Sequence, residues 1–214
     1  MSNRIAVIDY GMGNLRSVSK AIEHVAGTGA EVRVTDDPAW IAGADRVVFP
    51  GQGAARDCMR AIGEHHLNRA VLDAAASKPF LGICMGLQVL VQFSEENNGT
   101  ELLGLLGGRV VRFSNEMRGP GGVALKIPHM GWNTAEPVGE HPLWEGIEPG
   151  SRFYFVHSYH VVPEDASLTA ATTDYGVTFT SAVASGNLFA VQFHPEKSAD
   201  SGLRLLENFI HWNP

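Results

Sequence analysis

Three residues have the types and surroundings needed for nucleophilic chemistry on a carbonyl group, and the first is a cysteine. Cys84 lies in the segment Gly82-Ile83-Cys84-Met85-Gly86, directly after an apolar run. This pattern predicts a sharp turn from a strand into a helix that holds the thiol at the top of a sheet. A helix N-terminus lowers the pKa of a thiol and offers backbone N–H groups to a developing oxyanion. A buried, unreactive thiol is the alternative interpretation.

The other two residues are a histidine and a carboxylate that follow a second apolar run. His194 comes directly after Val191-Gln192-Phe193, and Glu196 comes two positions later. Side chains at positions i and i+2 of an extended chain point the same way, and Pro195 favours an extended conformation at His194. Glu196 can therefore orient the imidazole while His194 takes a proton from Cys84, as in acyl-transfer triads. The alternative is a strand-end histidine that caps a loop.

Alternating strands and helices are predicted around these residues in the first half of the chain. Apolar runs predict strands at 4–9, 31–35, 46–49 and 78–83, and helical spacing predicts helices at 15–26 and around 66–76. The second half has shorter predicted strands at 108–112, 153–162, 168–173, 178–184 and 188–192, followed by a helix at 201–212. We therefore predict an α/β fold with an open, mostly parallel sheet flanked by helices and an antiparallel portion in the second half.

Composition restricts the class of protein. The chain has 214 residues, of which 44% are hydrophobic and 18% are charged, and its formal net charge is −7. These values are typical of a compact protein, so we predict one domain over residues 1–214. Acidity without a basic cluster argues against nucleic acid as a partner. Two cysteines make no disulfide framework and no apolar stretch approaches a membrane span, so we expect a cytoplasmic protein that does not bind membranes.

Glycine-rich turns follow two of the predicted strands. Gly11 and Gly13 lack the third glycine of a dinucleotide fingerprint, and no histidine, cysteine or acidic cluster has metal-ligand spacing, so we expect no cofactor and no metal. The turn Pro50-Gly51-Gln52-Gly53 lies at the carboxyl end of a strand, where open α/β sheets place their sites. Its backbone amides could form half of an oxyanion hole, with the amide of Met85 as the other half, or it could be a simple turn.

Two longer segments resemble the signatures of the class I, triad-type glutamine amidotransferases. They run from Gly82 to Gln88 and from Val191 to Ser198. The resemblance implies a flavodoxin-like fold and the release of ammonia from glutamine. It assigns Cys84 as the nucleophile, His194 as base and acid, and Glu196 as the residue that orients His194. The oxyanion of the intermediate would be bound by backbone amides near Gly51, Gln52 and Met85.

Within that class, four segments resemble the glutaminase subunits of the imidazole glycerol phosphate synthase family. They cover 9–18, 50–53, 128–133 and 154–159, and the similarity extends from Ile5 to Ile210. It implies a heterodimer with a (β/α)8-barrel cyclase subunit. The cyclase would use the ammonia to make imidazole glycerol phosphate and an aminoimidazole carboxamide ribotide in histidine biosynthesis.

The same resemblance implies contacts with the substrate and the partner. Glutamine would be bound at its amino acid end by Gln88, Glu96, Ser158 and Tyr159. Family spacing from Cys84, and no other feature, selects Glu96 over the neighbouring Glu95. The cyclase would contact Asn14, Pro128, His129, Met130, Trp132 and Asn133, although buried Trp and Met are also ordinary core residues.

Three other functions are compatible with parts of the pattern. A pyridoxal phosphate synthase glutaminase would share the triad but lack the segment Pro128-His129-Met130-Gly131-Trp132-Asn133. A cysteine hydrolase of γ-glutamyl peptides would need no partner and would lose little activity without Glu196. A non-catalytic binding module would have no need of an intact Cys84, His194 and Glu196.

Overall fold

The computed structural model describes residues 3–214; Met1 and Ser2, which the predicted domain includes, lie outside the described residues. Strands and helices alternate in the first half, as the sequence predicts. The strands are β1 Asn3–Ile8, β2 Ala30–Thr35, β3 Arg46–Gly51 and β4 Phe80–Cys84. The helices are α1 Leu15–Ala26, α2 Pro38–Gly43, α3 Ala55–Glu64, α4 Asn68–Ser77 and the single turn α5 Met85–Gln88.

The second half consists mostly of strands. They are β5 Phe93–Ser94, β6 Thr100–Glu101, β7 Gly108–Arg112, β8 His129–Thr134, β9 Glu136–Pro137, β10 Arg152–His157, β11 Tyr159–Pro163, β12 Thr169–Asp174, β13 Thr178–Ser185 and β14 Leu188–Val191. The chain then forms helix α6 Ala199–His211.

One large sheet has the order β2-β1-β3-β4-β14-β13-β11-β7-β5-β6, and β12 and β9 extend it from β13. Strands β2, β1, β3, β4 and β14 are parallel, whereas β13, β11 and β12 pair with their neighbours in antiparallel fashion. The predicted fold class is therefore confirmed. Because β3, β4 and β14 are parallel neighbours, their carboxyl ends meet at one edge of the sheet, where open α/β folds place their sites.

The buried strands divide the core into two apolar layers. In β1, Ile5 and Val7 pack toward α1 and α6, while Ala6 and Ile8 pack toward α3 and α4. This alternation follows from the two-residue period of a strand. It explains why the parallel strands are apolar on both faces, since helices cover each side of the sheet.

The second half differs from the sequence prediction in two places. The predicted strand 153–162 is two strands that separate at Ser158: β10 pairs with β8 in a two-stranded sheet, while β11 joins the large sheet. Residues 153–162 contain no glycine or proline, so the sequence carries no turn signal at the break. No strand was predicted at 128–133, yet most of this segment forms β8. The alternation is hidden because the exposed positions carry the large apolar residues Met130 and Trp132, while the less exposed positions carry His129, Gly131 and Asn133.

Candidate active site

Cys84 is the last residue of β4 and has a strained backbone, with φ of +56° and ψ of −108°. L-residues rarely adopt a positive φ, so the surroundings must enforce it. A Cβ atom at Gly86 would overlap the Phe49 carbonyl oxygen, and one at Gly82 would lie 2.8 Å from the Gly86 oxygen. The two glycines therefore permit the tight turn that the sequence predicts. The helix that follows is only the single turn α5, so the expected helix dipole is small, although the backbone N–H groups at its start remain.

His194 follows β14 and has an extended backbone, with φ of −107° and ψ of 96°. Its Nδ1 atom lies 2.9 Å from Oε1 of Glu196, and the two side chains are 2% and 1% exposed. Burial of the ring lowers the pKa of His194, but the neighbouring Cys84 thiol and the Glu196 carboxylate together raise it to about 10. His194 is therefore stabilised as an imidazolium between two groups that can carry negative charge.

Two buried atoms of the pair have no hydrogen-bond partner among the described residues: Nε2 of His194 and Oε2 of Glu196. Nε2 of His194 is left as the ring atom available for proton transfer.

Backbone contacts hold the histidine in place from β10. The His194 amide donates to the Tyr154 carbonyl at 2.9 Å, and the Tyr154 amide donates to Oγ of Ser198 at 2.9 Å. The Ser198 hydroxyl in turn donates to the His194 carbonyl at 2.6 Å. These three contacts tie the loop after β14 to the two-stranded sheet and fix the position of the imidazole.

A cavity of about 430 Å³ opens above the ends of β3, β4 and β14. The residues that line it include eight of those expected to take part in catalysis or glutamine binding: Gln52, Cys84, Met85, Gln88, Glu96, Ser158, Tyr159 and His194. Pro128, which was expected to contact the partner, lines the same cavity. Gly51 is buried beside Cys84 in the strand register, and Glu196 lies behind the histidine. The structure thus brings the predicted nucleophile, base and substrate contacts to one cavity.

Glu96 and Glu95 have different surroundings. Without the family resemblance, the sequence does not decide which of the two contacts glutamine. Glu96 lines the cavity, and its Oε2 atom accepts a hydrogen bond of 2.7 Å from the amide of Ala55. Glu95 is exposed and its nearest donor is the Arg112 amide at 3.4 Å. Glu96 is therefore the carboxylate that can meet a cation in the cavity.

Gln192 is a polar residue of the site to which the sequence assigned no role. It is fully buried, accepts from Nε2 of Gln88 at 2.9 Å, and its own Nε2 donates to the Cys84 sulfur at 3.8 Å. Nε2 of Gln88 also donates to the Tyr159 carbonyl at 3.0 Å. A signal was present in the sequence, because Gln192 lies two positions before His194 in an extended segment and therefore faces the same side.

Cys58, the second cysteine of the chain, lies against the turn after β3. Its thiol donates to the Gln52 carbonyl at 3.3 Å and accepts from the Tyr10 hydroxyl at 3.9 Å. Burial raises the pKa of Cys58 to about 11. Cys58 is therefore a neutral thiol that fixes the orientation of the Gln52 carbonyl.

The residues expected to contact a partner are not all accessible. Met130 and Trp132 are 61% and 45% exposed, and Pro128 is exposed as well. His129, by contrast, is 3% exposed, so its side chain cannot reach a partner in this conformation. The Asn133 amide is bonded within the chain to the Asp174 carbonyl. Asn14 is half-buried, and its side chain accepts from the Ser17 amide as the N-cap of α1.

Metal-binding clusters and membrane-spanning helices are both absent from residues 3–214. Within this range, no three histidine, cysteine or acidic side chains lie close enough together to hold a metal ion. No helix in the same range is both long enough and apolar enough to cross a membrane.

The fold and the sequence identify the class of protein. The family model for "Glutamine amidotransferase class-I" matches residues 6–212. The fold is shared with PurLQS from Thermotoga maritima, at 18% identity and a TM-score of 0.71, with 99% of each chain covered. It is also shared with a putative GMP synthase protein from Thermoplasma acidophilum, at 18% identity and a TM-score of 0.69, covering 99% of this chain and 94% of that one. The chain therefore belongs to the class-I glutamine amidotransferase family.

Curated relatives identify the branch of that family to which the chain belongs. The "Imidazole glycerol phosphate synthase subunit HisH" of Thiobacillus denitrificans is 62% identical, with 100% of this chain and 93% of the relative covered. The protein of the same description from Aromatoleum aromaticum is 61% identical, with 98% and 99% covered. Identity at this level over the full chain places it in the HisH branch of the family, whose members are enzyme subunits.

Proposed function

We propose that the chain is a single-domain, cytoplasmic glutaminase that hydrolyses glutamine to glutamate and ammonia with Cys84, His194 and Glu196. The observation that carries the proposal is that these three residues lie together at one site. Cys84 and His194 line one cavity at the carboxyl edge of the sheet, and the Glu196 carboxylate lies 2.9 Å from the far side of the imidazole. This is the order of groups that nucleophilic acyl transfer requires.

The first half of the reaction forms a thioester. The Cys84 thiolate attacks the side-chain amide carbon of glutamine, a carbon–sulfur bond forms, and the carbonyl oxygen becomes an oxyanion. Backbone amides near Gly51, Gln52 and Met85 bind that oxyanion. When the carbon–nitrogen bond breaks, His194 gives the proton on its Nε2 atom to the leaving nitrogen, and ammonia departs.

The second half regenerates the enzyme. His194, now neutral, takes a proton from a water molecule that attacks the thioester carbonyl. The carbon–sulfur bond then breaks, glutamate leaves, and Cys84 returns to the thiolate beside the imidazolium. Glu196 keeps the ring oriented through both halves and stabilises its positive charge, which fits the raised pKa of His194.

The cavity suggests how glutamine is held. The Glu96 carboxylate supplies the negative charge that an α-ammonium group needs, and Ser158, Tyr159 and Gln88 supply polar groups around the same space. With its α-ammonium group at Glu96, glutamine would direct its amino acid end away from Cys84 and its side-chain amide toward it. Recognition of a free amino acid end favours glutamine itself over a γ-glutamyl group in the middle of a peptide.

We further propose a heterodimer with a (β/α)8-barrel cyclase subunit that uses the ammonia to make imidazole glycerol phosphate and an aminoimidazole carboxamide ribotide in histidine biosynthesis. The relatives described above are named as synthase subunits, which implies a partner. Ammonia in water is mostly ammonium at neutral pH and is then a poor nucleophile, so direct transfer between subunits is chemically useful. The exposed Met130 and Trp132 on β8 offer an apolar surface for such a partner.

Acid-quenched turnover with mass detection tests the triad. The full chain mixed with glutamine and the cyclase should gain the mass of one γ-glutamyl group on the peptide that contains Cys84. Cys84→Ala should lose both the adduct and glutamine-dependent synthesis, while synthesis from added ammonium salts continues. Glutamate release by the Cys84→Ala chain at the wild-type rate would refute the assignment.

A binding titration tests the partner surface. Met130→Asp should weaken the affinity for the cyclase at least about tenfold, because a charge would replace a large exposed apolar side chain at the interface. Val177→Asp is the matched control, since Val177 is also an exposed apolar residue, at 43%. Equal affinity of the Met130 variant and the wild type would place the partner elsewhere.

A further inference from the structure

Two buried histidines that the proposed mechanism does not use lie beside the cavity. His129 on β8 and His157 on β10 are 3% and 6% exposed, and they stand opposite each other in the strand register. The Nδ1 atom of His129 lies 2.9 Å from the Nε2 atom of His157. Buried polar groups are hydrogen-bonded, so the remaining contacts of the two rings locate their protons.

The contact between His157 and the Tyr159 carbonyl fixes the position of the first proton. Nδ1 of His157 lies 2.8 Å from the Tyr159 carbonyl oxygen, which can only accept, so Nδ1 carries the hydrogen. Burial lowers the pKa of His157 to about 3 and that of His129 to about 4, so both rings are neutral at physiological pH. In a neutral ring the second nitrogen is an acceptor. Nε2 of His157 therefore accepts a hydrogen bond from Nδ1 of His129.

The contact between His129 and Asn133, on the other side of the pair, gives the same proton positions independently. Oδ1 of Asn133 accepts from the Thr134 amide at 2.9 Å, and its Nδ2 donates to the Asp174 carbonyl at 2.8 Å, so the Asn133 amide has one orientation. Nδ2 also lies 3.3 Å from Nε2 of His129 and donates its second hydrogen there. A ring that accepts on Nε2 carries its proton on Nδ1. Both ends thus require His129 to be the Nδ1–H tautomer.

The hydrogen bonds end on an oxygen that belongs to the proposed substrate site. The Tyr159 carbonyl also accepts from Nε2 of Gln88 at 3.0 Å, and Nε2 donates its second hydrogen to Gln192 at 2.9 Å. Both hydrogens of the Gln88 amide are therefore used inside the protein. Its Oε1 atom is left to accept from a donor on a ligand in the cavity that Gln88 lines. Movement of the Tyr159 carbonyl would release one of the two bonds that fix this orientation.

We propose that His129 and His157 are positioning residues for glutamine binding, which pass a chain of hydrogen bonds from β8 to the Tyr159 carbonyl and so fix the orientation of the Gln88 amide. Because this inference rests on the proposed function, its test must separate the two. Neither ring has a nitrogen atom left for the substrate or the triad. Loss of the pair should therefore weaken glutamine binding much more than it slows the chemical step.

Matched substitutions separate the hydrogen bonds from packing. The side-chain nitrogen of asparagine is as many bonds from the backbone as Nδ1 of histidine, so His157→Asn can keep the bond to Tyr159 while His157→Leu removes it. His129→Asn and His129→Leu form the same pair one position further from the cavity. His160→Leu is the packing control, because the His160 ring contacts Phe113 in the same aromatic cluster, at 4.7 Å between centroids, but lies outside the chain of hydrogen bonds.

Calorimetric titration of glutamine into the full chain with Cys84→Ala measures binding without turnover. We expect His157→Leu to weaken binding about tenfold, as the loss of one buried hydrogen bond does, and His129→Leu to weaken it by a smaller factor. The two asparagine variants and His160→Leu should stay within about twofold. With Cys84 restored, His157→Leu should raise KM and leave kcat within about threefold. Wild-type affinity in both leucine variants would overturn the proposal.

Nitrogen NMR of the full chain with labelled histidine gives a measurement that does not depend on glutamine. Both rings should be Nδ1–H tautomers, and the two asparagine variants assign the signals of His129 and His157. An Nε2–H tautomer on either ring would overturn the proposal, and this measurement decides it if a leucine variant does not fold. Failure of the Cys84→Ala chain to bind glutamine both alone and in complex with the cyclase would instead refute the proposed function.

Discussion

Glu196→Gln removes the charge beside His194 while keeping nearly the same shape. The structure allows the effect to be sized, because the two buried groups are 2.9 Å apart at their nearest atoms and their charge centres are about 4 Å apart. At an effective dielectric constant of about 20, a unit charge at that distance stabilises the imidazolium by roughly 4 kcal/mol. The His194 pKa should therefore fall by about 3 pH units in the variant.

The expected kinetic result follows from the role of His194 as the acid for ammonia departure. Glutamate release at saturating glutamine should fall by about 10²-fold to 10³-fold at neutral pH, mainly because the variant loses the carboxylate that fixes the orientation and tautomer of the ring. The alkaline limb of the pH profile should move to lower pH, because the His194 pKa falls. KM should change little, because Glu196 does not line the cavity. Asp200→Asn is the matched control, since it removes an exposed acid four residues further along.

Two outcomes would refute this reasoning. A Glu196→Gln chain that keeps more than about a third of the wild-type kcat would show that the carboxylate does not support His194, as expected of a γ-glutamyl hydrolase that needs no orienting acid. An unchanged alkaline limb with a reduced kcat would show that the loss comes from misfolding or misplacement rather than from charge. Thermal unfolding of both variants separates these cases.

Further expected outcomes concern packing, thiol reactivity and stability. Gly86→Ala should strongly lower the melting temperature because its Cβ has no space, whereas Gly63→Ala in α3, where a Cβ meets open space, should be neutral or slightly stabilising. Iodoacetamide at pH 8 should modify Cys84 long before Cys58 by peptide mass analysis, because a pKa of about 11 leaves about one thiolate in a thousand at Cys58; modification of Cys58 first would contradict its burial. The pKa of His194 is raised from 6.5 to about 10 on folding, so its stabilising contribution is complete below 6.5 and is lost as the pH rises through about 10. Urea unfolding should therefore show a larger loss of stability between pH 7 and pH 10 in the wild type than in His194→Gln, and equal losses would refute the raised pKa.

The strands of the parallel half and its helices α1 and α4 could be predicted closely, because each carries its own signal, whereas α2 and α3 were not among the predicted elements. Helix α1 has the predicted bounds, since Asn14 caps its start and its apolar residues recur at helical spacing. The antiparallel half was harder, because pairing between distant strands decides it. Ser158 separates β10 from β11 through partners that are distant in the sequence, and nothing local marks the change.

The candidate site, like the fold, has one part that local patterns predict and another that depends on distant residues. The turn at Cys84 and the extended histidine segment follow from glycines, a proline and strand periodicity, which are local properties. The positions of Gln192 and Cys58 relative to the cavity depend on tertiary packing. So does the burial of His129, which was expected at the partner surface and instead bonds to His157.

The most direct test of the central claim is glutamate release from glutamine by the purified chain, measured alone and then with the cyclase and its ribonucleotide substrate. The same series with Cys84→Ala provides the baseline. We expect strong stimulation only when both the cyclase and its substrate are present, and no release above baseline from the Cys84 variant. High activity of the chain alone, unchanged by the cyclase, would contradict an amidotransferase whose ammonia is made for a partner.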